Sequence, residues 1–425
     1  MSQIKRYGWL SLSLLLLAKI LMLLHLPNFV IPIALALLIF NVFFVKSIAN
    51  YMKTIDGANL KQVKLVYYLM IVFNLFLVFS MQGFVIPRII NAPLAFISGL
   101  FLLWYLIKTL KSQKIKLLTL SYWHFYWVFI GLLVWVFPFH IQVSDYAYSP
   151  KIDQAVYSKG TGSLIAFDEA HNNPHGLDGR WYATANLLIS DGYQIEALKN
   201  TIVDEAVLKP YKIYIVVNPL NEKNKNNWTL PTYPAFTDTE VNNIKHWVEK
   251  GGNLLLIVDH MPIPGAAYSM AKAFGFELKN GHAKTKEPKD YLFLRSAYTL
   301  TDNLISNGRN DQERVNQFVA FDGSAFKIPE DAQSILTFNS DYFQWEPQSA
   351  FDFQSVKPYN INGYSLGAYK TFGKGRVVVY SEAMMFTAQL GAGLSWVKLG
   401  MNSEQCTRNY QLFLNTIHYL DGLIN

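Results

Sequence analysis

The chain has 425 residues with 37 Lys and Arg, 30 Asp and Glu, and one cysteine, Cys406. A single cysteine excludes an intramolecular disulfide and a cysteine-based zinc site. The formal charge of +7 is not a nucleic-acid footprint, because residues 1–145 hold 12 of the basic residues and 2 of the acidic ones, leaving 25 basic and 28 acidic residues beyond. A slightly acidic remainder is unlike a phosphate-binding surface, so no nucleic-acid partner is expected.

Apolar runs recur at 7–26, 29–45, 65–86, 89–107 and 118–139. A bilayer core needs about 20 apolar residues per helix. The runs therefore predict an N-terminal α-helical membrane bundle of five spans over 1–145, with the lipid bilayer as partner. Lys19 interrupts the first run and can snorkel or face a neighbouring helix. Basic residues alternate between connections: Lys5 and Arg6 first, then Lys46, Lys53, Lys61 and Lys64, then Lys108, Lys111, Lys114 and Lys116. The positive-inside rule places these segments in the cytoplasm. The expectation is an integral inner- or plasma-membrane protein with residues 150–425 outside the cytoplasm.

Residues 146–162 are polar, contain Pro150, Gly160 and Gly162, and read as a linker. From 163 to 425 strand-like and helix-like segments alternate. Strands are predicted at 163–168, 193–198, 211–217 and 253–258. The segment Gly179–Ser190 is an amphipathic helix stopped by Asp191-Gly192. Thr237-Asp-Thr-Glu240 is a capping box that opens a helix to Lys250, closed by Gly251-Gly252. A short helix is expected at 265–274. Residues 279–360 carry short apolar runs among Asn, Asp, Gly and Pro, which favours extended segments and loops. Tyr364–Phe372 and Arg376–Ser381 flank Gly373-Lys-Gly375 as a β-hairpin. Asn402–Leu423 is a closing helix with Tyr410, Phe413, Leu414, Ile417 and Leu420 on one face. The expected fold for 163–425 is an α/β, doubly wound, mainly parallel sheet of flavodoxin-like or amidotransferase-like type.

Polar residues just past a buried strand stand where open α/β sheets bind their ligands. Ser163–Phe167 leads into Asp168-Glu-Ala-His171, with His175 further along, and Asn253–Val258 leads into Asp259-His260. Val377–Ser381 leads into Glu382. The candidate ligand-binding residues are Asp168, Glu169, His171, Arg180, Asp259, His260 and Glu382. Asp168, His171, Asp259 and His260 are also candidate ligands of a divalent metal, since carboxylates mixed with imidazoles suit Zn, Mn or Fe(II). These groups could instead cap helices and tie loops. Gln389 follows the last strand and is a weaker candidate. His282 lies near the second cluster.

Several blocks together resemble the DUF4350 family of the class I glutamine amidotransferase-like superfamily. They are Ala166-Phe-Asp-Glu-Ala-His-Asn-Asn173, Asp178-Gly-Arg180, Trp247–Ile257, Gly373–Val379 and Asn409–Asn415. The resemblance covers 163–425 and implies a glutamine amidotransferase-like scaffold. Relatives include extracytoplasmic domains of gliding-motility-type transporter components, which implies a membrane-protein or transporter partner. Amidotransferases of this superfamily place a Cys nucleophile on a sharp turn after a central strand. Here that turn holds Asp259-His260, and Cys406 falls in the predicted closing helix. No P-loop occurs either. Two functions are open at this stage. One is a membrane-tethered extracytoplasmic binding or accessory domain for a polar small molecule, glycan or partner protein, without the catalytic Cys. The other is a metal-assisted hydrolase using the strand-end Asp and His residues.

Overall fold

A computed structural model describes residues 3–23, helical residues within 32–43 and at 128–129, and 142–425 without 151, 153, 175, 286–290, 355 and 392–396. The described residues fall into two units, Met1–Gln142 with Gly391–Val397, and Val143–Leu390 with Lys398–Asn425.

In the first unit, helix α1 (Gln3–Leu23) follows the first apolar run. Leu12, Leu15 and Ala18 are buried, whereas Trp9, Leu16, Leu17 and Ile20 are exposed. The rings of Phe40 and Phe129 stack at 3.8 Å. Among the described residues no helix is long and apolar enough to cross a membrane, and no five-span bundle is present. This corrects the expected fold class of the N-terminal region. The integral-membrane localisation and the extracytoplasmic placement rested on that bundle and are withdrawn with it. The physical reason is that an apolar run signals burial without specifying what buries it, and α1 carries Arg6 and Lys19 within its length. The runs predicted at 65–86 and 89–107 lie outside the described residues.

The second unit is built on a nine-stranded sheet. Its strands are β1 (Leu164–Asp168), β2 (Gln194–Leu198), β3 (Ile213–Val217), β4 (Asn253–Ile257), β5 (Glu277–Leu278), β6 (Phe326–Lys327), β7 (Gln333–Thr337), β8 (Ser365–Phe372) and β9 (Gly375–Tyr380). Their spatial order is β2-β1-β3-β4-β9-β8-β6-β5, with β7 also pairing β8. The first five strands in this order run parallel. Beyond β9 every pairing is antiparallel. The sheet is therefore mixed, a second correction to the mainly parallel expectation. The extra strands come from the stretch 277–337, where two- to five-residue strands pair over long sequence separations and leave little period to read.

The parallel part forms as its composition dictates. Ile213–Val217 and Asn253–Ile257 are buried at every position, as strands covered on both faces require. Alternate residues feed two cores. Ile165, Phe167, Ile215, Leu255, Val378 and Tyr380 pack beneath helices α2 (Tyr182–Ser190) and α7 (Asn409–Asp421), and Asn415 of α7 donates to Ile305 O of the short α6 (Leu304–Asn307) at 2.8 Å. Ala166, Tyr214, Val216, Leu256 and Val379 pack beneath α3 (Asp238–Glu249), α4 (Ile263–Ala266) and α5 (Tyr268–Ala273). The predicted capping box opens α3: Thr237 Oγ1 accepts from Glu240 N, and Glu240 Oε2 accepts from Thr237 N at 2.9 Å. The helix ends at Gly251 (φ +116°), and Gly252 lies under the Trp247 indole, where a Cβ would overlap the ring. The hairpin at Gly373-Lys-Gly375 forms in register, with Phe372 opposite Gly375 and Gly367 opposite Tyr380. The residues read as a linker are packed on this unit, with Tyr148, Ile152, Val156 and Tyr157 against the first core.

Candidate ligand-binding site

Two adjacent parallel strands set one group of side chains. Tyr380 of β9 is level with Ile257 of β4, and Val258 N donates to Tyr380 O at 2.9 Å. Two residues further on, Asp259 on one strand and Glu382 on the other therefore leave the sheet side by side at its C-terminal edge. Glu382 is fully buried and accepts hydrogen bonds from the Met384 and Met385 amides at 2.6 and 2.9 Å. Burial, and then the neighbouring Asp259 carboxylate, hold its carboxyl well above the usual range. Burial also raises Asp259, with Asp322 adding to the effect, against the opposing pull of His260 and Arg180. Burial lowers the Arg180 guanidinium, partly offset by Asp259. Arg180, Asp259, His260 and Glu382 are thus brought to one place.

A crossing segment completes the group. Strand His282–Thr285 lies antiparallel to Tyr342–Trp345, with Trp345 opposite His282. The His282 ring stacks on His260 with centroids 4.4 Å apart and planes at 15°. His282 is completely buried, and neither ring nitrogen has a hydrogen-bond partner. Asp322 Oδ1 stands 3.5 Å from its Nδ1. Burial lowers the imidazole to a pKa of about 4, so it is neutral at ordinary pH. Gln344 is also buried. Its Oε1 accepts from Ala325 N at 3.2 Å, while its Nε2 has no partner. Three aromatic side chains from loops wall this cluster. Phe351 meets His260 and His282 at 5.1 and 5.2 Å, Trp228 meets His260 at 5.7 Å, and Phe353 meets His282 at 5.0 Å. Phe351 is left-handed (φ +70°) and 56 % exposed. Holding a non-glycine residue there costs about 1–3 kcal/mol.

The first-strand candidates go elsewhere. His171 is buried between two carboxylates, with Nδ1 2.8 Å from Asp168 Oδ1 and Nε2 3.0 Å from Glu240 Oε1. Tyr214 also donates to Asp168 Oδ1, at 2.9 Å. Burial pulls the His171 pKa down, but Asp168 and Glu240 outweigh it and the net shift is upward. With both ring nitrogens engaged, His171 has no lone pair to offer a metal. Glu169 accepts from Leu177 N at 3.0 Å and ties down its own loop. His175 lies outside the described residues. The four metal candidates are thus split, Asp168 and His171 in one cluster, Asp259 and His260 in the other. Among the described residues no group of three or more His, Cys, Asp or Glu is placed to hold a metal ion. Gln389 is buried and donates to Thr387 Oγ1 at 2.7 Å. Trp181 is core, between Phe167 and Phe413. Cys406 is buried ahead of α7, whose first residue is Asn409, and not inside it.

Sequence reasoning missed Asp322, Gln344, Trp228, Phe351 and Phe353, and gave His282 only a marginal place. They come from loops and short strands between 221 and 353, with no strand-end signal of their own. Glu240 was legible as a capping residue but not as the partner of His171.

Fold and site together define an α/β protein with a mixed sheet and an aromatic-walled polar cluster at the edge where its parallel strands end. No family model matches the chain, and no curated protein matches it either. Solved structures with a similar course include the "mmIFT52 N-terminal domain", at TM-score 0.44 and 15 % identity over 61 % of this chain and 98 % of that one. Another is "Cytoplasmic Protein STM1381 from Salmonella typhimurium LT2", at TM-score 0.36 and 13 % identity over 60 % and 98 %. The GH42 β-galactosidase Gan42B aligns at TM-score 0.29 and 10 % identity over 61 % and 30 %. No property of these proteins is carried to this chain.

Proposed function

We propose that the second unit is a binding or accessory domain that holds a small polar organic ligand at Asp259, His260, His282, Asp322 and Glu382, without turning it over. The observation that carries this reading is Phe351, a strained and exposed aromatic ring seated on two stacked imidazoles beside buried carboxylates. Aromatic walls around a few convergent polar groups are the usual lining of a small-molecule site. Absence of turnover is supported by the residues at the turn after β4. Asp259-His260 supply no thiol or hydroxyl nucleophile there, and the chain's one thiol is buried next to Tyr148. The amidotransferase-like resemblance of 163–425 remains part of the same proposal, with a partner protein as the accessory role.

The test is thermal unfolding of the full chain against a panel of sugars, amino acids, nucleosides, polyamines and dicarboxylates. At least one class should raise Tm in the wild type, and Phe351→Ala should abolish the rise. Ligand present at 100 times its Kd stabilises by about 2.7 kcal/mol, which is readily visible. A panel with no effect, or an effect that Phe351→Ala leaves intact, rejects the proposal.

A further inference from the structure

Resting on that binding site, we infer that its ligand is a neutral sugar, one ring of which stacks on Phe351 and Trp228 while its hydroxyls reach Asp259, His282 and Gln344. A pyranose offers one face of C–H bonds and a rim of hydroxyls, so it needs a flat apolar wall beside closely spaced donors and acceptors. Phe351 leaves more than half of its surface open, and its centroid is 6.2 Å from that of Trp228 with planes at 32°. These two rings form the wall.

The polar floor matches hydroxyls better than ions. A neutral imidazole has one donor and one acceptor nitrogen, a carboxylate accepts, and an amide NH2 donates. His282 and Gln344 are buried with His282 Nε2 and Gln344 Nε2 unpaired, and His282 Nδ1 has only Asp322 Oδ1, 3.5 Å away. Such atoms cost roughly 1–3 kcal/mol each while unmet. A hydroxyl can both give and accept, and so can satisfy either nitrogen of His282. An anion would meet Asp259, Asp322 and Glu382. A cation would find its place taken, because Lys284 Nζ already lies 4.2 Å above the Phe353 ring and 3.7 Å from Asp322 Oδ2. Arg180 stands with Asp259. The site's charges are matched from within, and a neutral ligand leaves that balance intact.

Two glycines let neighbouring backbone pack tightly beneath the site. A Cβ on Gly281 would stand 2.8 Å from Gln344 Nε2, besides overlapping Trp345 O. A Cβ on Gly323 would fall 2.9 Å from the Glu382 Cβ and overlap Ser381 O. Backbone, not side chain, therefore brings His282 and Glu382 into place.

The experiment is titration calorimetry on the full chain with glucose, galactose, mannose and N-acetylglucosamine, and with choline, glutamine and citrate as ionic comparisons. At least one sugar should bind saturably. Phe351→Ala, Trp228→Ala and His282→Gln should each weaken that sugar about tenfold or more, equivalent to 1.4 kcal/mol. Phe351 and Trp228 keep solvent-facing surface, and retained Tm in their variants shows that folding is intact. If choline, glutamine or citrate binds in a Phe351-dependent manner and no sugar does, the sugar inference fails while the binding site stands. If nothing binds, both fail. Sugar binding unchanged in Phe351→Ala and Trp228→Ala places the sugar elsewhere and overturns the inference.

Discussion

Two histidines define the residue scale by opposite environments. His282 is buried among rings and neutral, whereas His171 is buried between Asp168 and Glu240 and gains its proton more readily than a free imidazole. Removing one partner from a buried ion pair costs about 3–5 kcal/mol, so His171→Ala should lower unfolding stability by about 3 kcal/mol, read from the urea midpoint. The sign of its pH dependence follows from the upward shift. The folded protein holds this proton more tightly than the unfolded chain, whose imidazole titrates near ~6.5. The stabilisation is complete below that pH and is lost as pH rises through the higher folded value. His171→Gln should flatten this part of the stability profile, and an unchanged profile would show that His171 is not the group responsible. Asp259 behaves differently. Its carboxylate is raised by burial and by Asp322, so Asp259→Asn should change stability by no more than about 1 kcal/mol and weaken ligand binding about tenfold or more. A large loss of Tm with unchanged binding would assign Asp259 a purely structural role.

At the scale of elements, α3 and the turn into β4 show how local chemistry fixes the frame beneath the site. Thr237→Ala removes the acceptor for Glu240 N and should cost about 1 kcal/mol. Gly252→Ala should cost more, because the added methyl would overlap the Trp247 ring and overpacking of this kind costs about 1–3 kcal/mol. Both are measured by chemical denaturation, and equal, negligible effects would contradict this account of the helix ends. The same elements explain what could be read from sequence. Residues 163–258 and 364–381 contain strands whose buried runs are bounded by Gly, Asp or a capping box, and their positions follow from period and punctuation. The closing helix is also legible, though it begins seven residues later than expected, at Asn409. Residues 277–345 are not legible, because β5 and β6 have two residues each and gain their order only from distant partners. The site divides along the same line. Asp259, His260 and Glu382 follow long buried strands and could be named, while Phe351, Phe353 and Asp322 sit on loops whose placement is decided by tertiary packing. Asp168 and His171 had the same strand-end signal as Asp259 but face Tyr214 and Glu240, since a strand end fixes the edge of the sheet and not the direction of the side chain.

For the whole second unit, the change from parallel to antiparallel pairing at β9 organises function. The parallel strands deliver Asp259 and Glu382 to one edge, and the antiparallel extension with its crossing strands returns His282, Asp322 and the aromatic loops to the same edge. The central claim is that a small ligand binds there. Hydrogen exchange of the full chain tests it most directly, measured by mass spectrometry with and without the panel compound that raises Tm most. Bound ligand should slow exchange in 226–230, 258–262, 281–285 and 349–354. Protection confined to the open cavity of about 360 Å³ lined by Asp302, Asn307, Arg309 and Arg314, with those four segments unchanged, would contradict it.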